Sequence, residues 1–546
     1  MSEGILVHDV DAEVDTINSE ETIAVGHVDD GADEESRKNL RDHLRRTLSD
    51  RRSMSDAGSA RRKGKGVDMN ELSVDITLSS TYKPREYFVL TDAGKPVFTS
   101  RESGEESESL SSTMGIVQAL LSVFLDDGDK LRCINAGKSR ITFLLRTPLY
   151  YVCASSWGEP ESVTRSHLEY LHLQILSIVT AAQLRRIFER RTNFDLRRLL
   201  NGAEPFLFSL LGRMEFDLAI ATSSLHCLQL DPSLRARVAD SLVPMTKIKD
   251  ILYIILVAQG QVITLVRPKK HSIHPADLHI IVNTIYSPSI FNSPASASWI
   301  PVCLPKFNPS GFVNAYISFL RRPDSKSGDE AETSHQAINE GPSGQAIDIH
   351  GEAENPATPT AAAMPKPTPN GFTSDAGIGL VCISGGAEFE TIRGWCDTVA
   401  QKLDKDGTLN AISKAMSTGK TDYSVSELGV PGLRHFVYKS RPLVQMTAPI
   451  FEEPYEDLNA RRRVITLYQT IHDAIHAKSG QDSALKLQYI RTEKEIVMGW
   501  LTQPFELYIA LSPHLPKSAV INAANAVMRW VKREEGHLFL RDAPVL

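Results

Sequence analysis

Two histidines four residues apart, His472 and His476, are the first candidates for chemistry, because on a helix that spacing turns both imidazoles toward one metal ion. No HExxH frame surrounds them and no third ligand follows at a matching interval, so they read as solvent-exposed helix histidines. His271 and His274 flank an expected helix start and read the same way. Gly137-Lys138-Ser139 resembles the end of a phosphate-binding loop, but position 132 is Arg where that loop needs Gly. The tripeptide also lies between two strand-like runs instead of opening a helix, so a hairpin turn is expected there. Gly377 and Gly379 are followed by Cys382 where a dinucleotide fingerprint needs glycine. No Gly-x-Ser-x-Gly elbow occurs, and Ser343 stands in a Gly-Pro-Ser-Gly stretch of low apolar content. Covalent, metal-assisted and hydride chemistry find no support here. No cofactor is expected, and the chain reads as a binding platform.

The charge distribution sharpens that reading. The 546 residues carry 60 Lys+Arg against 67 Asp+Glu, a net charge of −7. Residues 1–35 hold 12 acids and no base; residues 36–65 hold 11 Lys/Arg and 3 Asp, a net of +8. Beyond residue 80 the two signs balance, 49 of each, which argues against a basic nucleic-acid-binding body and for a polarised tail on a neutral core. Six cysteines are scattered without a CxxC pair, which fits buried thiols in a reducing compartment better than a disulfide or zinc framework. No apolar run approaches the roughly 18 to 20 residues of a membrane span, and the N-terminus carries no secretory pattern. A cytoplasmic protein of roughly three domains, at about 150 residues each, is expected.

The elements follow one order three times. Residues 86–91 and 96–100 read as strands, and 110–127 as a helix with apolar positions at Ile116, Leu120, Leu121 and Phe124. Strands at 130–136, 140–146 and 149–155 follow, then one long helix over 162–190. The order recurs with strands at 251–258 and 261–266, a helix at 275–286, and strands at 299–304, 313–320 and 379–384. A helix over 388–403 closes that copy. The third copy has strands at 435–439 and 443–447, a helix at 455–477, strands at 485–491, 496–501 and 506–511, and a helix at 517–534. Ile141, Phe143 and Leu145 alternate with Leu144, so the first sheet is apolar on both faces and must be covered on both. Residues 1–80 and the Pro-, Gly- and Ala-rich stretch 321–376 are expected to be disordered, since they lack the apolar surface to offset ordering entropy.

Within the tail, Leu40, Leu44 and Leu48 recur every four residues among arginines. A short basic amphipathic helix there would suit an anionic membrane surface. Arg45, Arg46, Arg51, Arg52, Arg61, Arg62, Lys63 and Lys65 are the candidate membrane contacts, with Lys269 and Lys270 as a second, smaller patch beside Arg267. A solvated charge run is the plain alternative. Ser49, Ser53 and Ser55 would lower the positive charge if phosphorylated, and the acidic stretch 1–35 is a candidate brake on the basic one.

Several long motifs in order resemble the SAND/monensin-sensitivity family of vacuolar fusion proteins. They are QILSIVTAAQLRRIFERRTNFDLRRLLNG (174–202), HPADLHIIVN (274–283), SWIPVCLPKFNPSGF (298–312), LRHFVYKS (433–440), FELYIALSP (505–513) and MRWVKREEGHLF (528–539). The likeness spans about residues 82–546 without 321–376. It implies an α/β (α+β) fold of three longin domains, each a five-stranded, mostly antiparallel sheet flanked by helices. The divisions expected are a tail at 1–80, a first domain at 81–212, a second at 213–432 and a third at 433–546. The resemblance also implies an obligate heterodimer with a Ccz-type longin subunit. That complex would act as guanine-nucleotide exchange factor for a late-endosomal Rab GTPase. An early-endosomal Rab and phosphoinositides would recruit it to endosome, multivesicular-body and vacuole membranes, where it would serve maturation, autophagy and fusion.

An exchange factor makes no covalent bond, which accounts for the missing active site. It binds the nucleotide-free GTPase more tightly than the loaded one, and reciprocity then weakens nucleotide binding. On this reading Asn135, Lys138 and Arg140 of the hairpin, with Trp157 just past a strand end, are candidate contacts to GTPase or partner, ordinary packing being the alternative for Trp157. Trp299, after a run of small residues, is the candidate for a patch binding the recruiting Rab. A non-catalytic longin adaptor or tether is the competing class, and periodicity alone does not separate the two.

Overall fold

Alternation along one strand shows how the first domain is layered. In Leu149–Ser155, Tyr151 and Cys153 face one helix layer with Leu168, Leu171 and Ile175, while Tyr150 and Val152 face Met114, Val117 and Leu121 on the other side. A sheet apolar on both faces is covered on both, as the alternation requires. The computed structural model describes residues 82–545 apart from 102–106, 127, 130, 245–247, 249, 294–296, 322–376, 479–484 and 542. The expected disordered tail, its basic residues and almost all of the 321–376 insertion lie outside the described residues.

The first domain comprises β1 (Glu86–Thr91), β2 (Pro96–Thr99), α1 (Ser107–Leu125), β3 (Cys133–Ala136), β4 (Ser139–Arg146), β5 (Leu149–Ser155), α2 (Glu161–Ile178) and α3 (Ala181–Arg190). Its sheet runs β2-β1-β5-β4-β3, all antiparallel. After α4 (Glu204–Phe216), β6 (Leu225–His226) and α5 (Pro232–Leu242), the second domain repeats the order. It has β7 (Ile251–Ala258), β8 (Gln261–Val266), α6 (Pro275–Tyr286), β9 (Ala297–Val302), β10 (Val313–Arg321), β11 (Ile378–Ser384), α7 (Phe389–Lys405) and α8 (Thr408–Ser417), in sheet order β8-β7-β11-β10-β9. The third has β12 (Leu433–Ser440), β13 (Gln445–Thr447), α9 (Leu458–His476), β14 (Leu487–Arg491), β15 (Ile496–Leu501), β16 (Phe505–Leu511) and α10 (Lys517–Arg533). Its sheet, β14-β15-β16-β12-β13-β6, repeats the same order and adds β6.

Two differences from the sequence expectations have physical causes. The helix expected over 162–190 is two helices, because Val179 is extended and the Thr180 side chain accepts from the Gln183 N–H, starting a new helix. The free Ala181 N–H at that start donates to Pro309 O of the second domain. The third sheet has six strands instead of five, since the linker strand β6 pairs in parallel with β13. The 321–376 insertion leaves and re-enters at adjoining strand ends, Arg321 opposite Ile378, where a long loop costs little closure entropy.

The three domains share a helical centre. α2 and α4 pack with α6, where Tyr170, Leu173, Leu210, Met214, Ala276 and Ile280 form a common apolar cluster. α6 is buried from Pro275 to Ile285, so its polar side chains need partners inside the protein. Asn283 at its core donates to Gln174 Oε1 at 2.9 Å and to Phe206 O at 2.8 Å, which satisfies its side-chain NH2 group. His279 Nε2 lies 2.8 Å from Ser224 O and its Nδ1 3.1 Å from Tyr170 Oη, joining α2, α6 and the β6 linker.

Candidate functional site

The hairpin joining β3 to β4 is a two-residue turn, with Ala136 opposite Ser139 and Gly137 at φ +64°, a backbone angle that glycine adopts without strain. The expected turn at Gly137-Lys138-Ser139 is thus present. Asn135 and Lys138 are exposed at the sheet edge. Arg140 is half-buried; its Nε donates to Asn135 Oδ1 at 2.9 Å and its Nη1 donates to the backbone carbonyl of Glu159.

Trp157, the other candidate contact, is packed inside the molecule. It is 4% exposed, and its indole N–H donates to Lys83 O. Tyr82 meets it edge-on at 5.1 Å, and the Arg85 guanidinium carbon sits 3.7 Å from the ring centre. Arg462 of α9 also lies against the ring. A helix of another domain thus helps to cover the ring. Beside it, Arg85 Nε and Ser155 Oγ both donate to Glu159 Oε1 at 2.8 Å, an ion pair with both side chains under 5% exposed. Burial alone would lower the Arg85 pKa, but the Glu159 carboxylate overrides it and raises it.

The second feature of the first domain is a helix face left uncovered. Met114, Val117 and Leu121 of α1 enter the core, whereas Ile116 points outward at 59% exposure and Leu125 is exposed as well. The equivalent helices of the other copies, α6 and α9, are packed against α2 and α4 and carry long buried stretches. The first domain therefore presents an open helix next to its free edge strand β3, and the Asn135–Arg140 hairpin closes that edge.

Other sequence candidates lie elsewhere. Trp299 is half-buried on edge strand β9 and packs edge-on against Phe389 at 5.4 Å and Tyr316 at 6.4 Å. Lys269 and Lys270 are exposed in the loop after β8. His274 caps α6, accepting from the Ala276 N–H, and His271 lies edge-on to Phe307.

The pair His472 and His476 is not solvent-exposed. Both are half-buried, and Glu506 of β16 supplies the third polar group that local spacing did not reveal. His472 Nδ1 lies 2.7 Å from Tyr508 Oη, and His476 Nε2 lies 3.2 Å from Glu506 Oε2. Their ligand atoms fall within 4.8 Å of one another, but Lys439 Nζ stands 3.5 Å and Arg441 Nε 3.8 Å from the same carboxylate. Burial raises the Glu506 pKa, yet His476 and Lys439 outweigh it and hold it well below the usual carboxylate range. Two permanent cations already neutralise the carboxylate, so the cluster works as an ion-pair network. All six cysteines are free thiols, five of them buried, as the scattered spacing indicated. Among the described residues no helix is long and apolar enough to cross a membrane.

Three copies of one sheet order, each closed by helices, with an open helix and edge on the first, define a protein of three longin domains. Residues 85–210, 249–332 and 432–535 match, in turn, the first, second and third longin domains of FUZ, MON1 and HPS1. Vacuolar fusion protein MON1 of Cryptococcus neoformans var. neoformans serotype D is 45% identical, over 94% of this chain and 74% of its own length. Vacuolar fusion protein MON1 homolog A of Gallus gallus is 34% identical over 85% of this chain and 74% of its own. Protein SAND of Takifugu rubripes is 32% identical over 84% and 76%. The chain belongs to the MON1/SAND family of vacuolar fusion proteins.

Proposed function

We propose that this chain acts in vacuole fusion and membrane trafficking as one subunit of a heterodimeric guanine-nucleotide exchange factor. Its partner is a second longin protein of the Ccz type, and its substrate is a late-endosomal Rab GTPase. The observation that supports this reading is the open face of the first domain. Among the described residues of the three equivalent helices, α1 turns an apolar side chain, Ile116, outward from its middle beside a strand edge, whereas α9 exposes Leu458 only at its first position. A partner longin domain covering that helix would set two such domains side by side. The hairpin residues Asn135, Lys138 and Arg140 stand at the rim of the platform so formed.

Exchange then requires only differential binding. A surface that holds the switch region in its nucleotide-free arrangement lowers nucleotide affinity by the same factor by which nucleotide lowers its own. Trp299, on the edge strand of the second domain, is the proposed contact for an early-endosomal recruiting Rab. The exposed Lys269 and Lys270, with the basic tail, are the proposed contacts for a phosphoinositide-containing membrane. Release of labelled nucleotide from the late-endosomal Rab tests the reading, first with this chain alone and then with its partner. Acceleration by the pair supports it, and no acceleration in either case leaves the adaptor or tether class instead.

A further inference from the structure

The candidate hairpin belongs to the first domain, but a chain of contacts ties it to the third. Arg462 lies on α9, forms an ion pair with Glu215 and places its guanidinium carbon 5.3 Å from the centre of the Trp157 indole. The same indole carries Arg85 at 3.7 Å. Arg85 Nε in turn donates to Glu159 Oε1 at 2.8 Å, and the Glu159 carbonyl accepts from Arg140 Nη1. Arg140 Nε reaches Asn135 Oδ1 at 2.9 Å across the hairpin. Trp157 and Glu159 sit two residues apart in one short loop, so the seat of the indole fixes where the Glu159 carbonyl points. Arg85 and Glu159 are almost fully buried, and a buried, hydrogen-bonded ion pair tolerates few alternative geometries.

We propose that Arg462 is a positioning residue for the hairpin, acting through Trp157, Arg85 and Glu159 on Arg140. This inference rests on the reading of the hairpin as a GTPase contact for its functional consequence, but not for its structural one. The third domain thereby sets the orientation of a surface it does not itself form. Any partner that shifts α9 has a mechanical route to the hairpin, through side-chain contacts and the Glu159 backbone carbonyl.

The test has two arms on the full chain. In the first, amide hydrogen exchange is followed in wild type, Arg462→Ala and Arg462→Lys. Arg462→Ala is expected to speed exchange over 133–140 by about 5-fold or more, with β11 in the second domain unchanged. Arg462→Lys, which keeps the charge but loses the planar stack, is expected to fall between, and it carries this arm if the alanine variant does not fold. Unchanged hairpin protection, or a uniform rise over all three sheets, overturns the proposal.

In the second arm, nucleotide release is measured with the partner subunit bound. Arg462→Ala and Arg140→Ala are each expected to lower kcat about 5-fold at unchanged KM, with no further loss when combined. Independent, multiplying losses overturn the relay. If the hairpin amides lose protection while neither variant slows release, the relay stands and the hairpin's role as GTPase contact falls.

Discussion

Trp157 and Arg462 come from different longin domains, yet the Arg462 guanidinium carbon lies 5.3 Å from the centre of the Trp157 indole. The contact is one of several that bind the copies into a single body. Ser162 of α2 donates to the Asp473 carboxylate of α9. The side-chain amide of Gln445 pairs both ways with the backbone of Leu540, whose side chain enters the core of the second domain. Three sheets that each need two covered faces obtain part of that cover from one another. The face left over, on α1, carries the exposed Ile116 and Leu125.

Removing the charge partner under the indole is expected to be costly. Arg85→Ala leaves the Glu159 carboxylate buried without its cation, a loss of about 3 to 5 kcal/mol. Trp157→Ala, which empties a buried site, is expected to cost about 3 to 5 kcal/mol as well. Denaturant melts of the two variants check this. Losses below about 1 kcal/mol would show that the contact is dispensable.

Acid should weaken the fold through its buried histidines. Burial lowers His279 and His172 from 6.5 to about 4, and His435 to about 3. Below pH 6.5 the unfolded chain takes up protons that the folded chain refuses, so stability is whole above 6.5 and drains away as pH falls toward 4. The slope is roughly 1.4 kcal/mol per histidine per pH unit. Thermal midpoints against pH measure it, and His279→Gln is expected to make the decline shallower by about one proton. An identical slope would place the titration elsewhere.

Gly499 on β15 lets α9 approach closely. A Cβ built there would overlap Ile471 and Ile475, so Gly499→Ala is expected to destabilise by about 1 to 3 kcal/mol. Combining it with Ile471→Val should recover part of that loss, and a neutral Gly499→Ala in the same melts would contradict the packing.

The uncovered helix offers a cleaner separation. Ile116→Asp changes a side chain that is 59% exposed, so the free chain should keep its stability to within about 0.5 kcal/mol. Co-purification with the longin partner is expected to be lost. Retention of the partner would move the assembly surface off α1.

Local pattern carried most of the fold, and tertiary context decided most of the rest. Pattern placed strands such as β5 and helices such as α9 to within a few residues, because β5 is an unbroken apolar run and α9 repeats apolar residues at helical spacing. The break at Val179–Thr180 was missed because the helical pattern continues through it, while the Pro309 carbonyl that fixes it is about 130 residues away in sequence. The hairpin was legible from Gly137. Arg462 and Glu506 were not, since neither carries a local signal and each acquires its role from a distant partner. Ile116 was legible as an apolar helix position, but its outward direction was not, because an apolar residue on a helix looks the same in sequence whether it is buried or exposed.

The most direct test of the central claim is the rate of labelled nucleotide release from a late-endosomal Rab, driven by the two-subunit complex with and without Lys138→Glu in the hairpin. The wild-type complex is predicted to accelerate release at least about 10-fold over the intrinsic rate. The variant, still bound to its partner, is predicted to lose most of that gain. A wild-type complex that leaves release at its intrinsic rate would contradict the account.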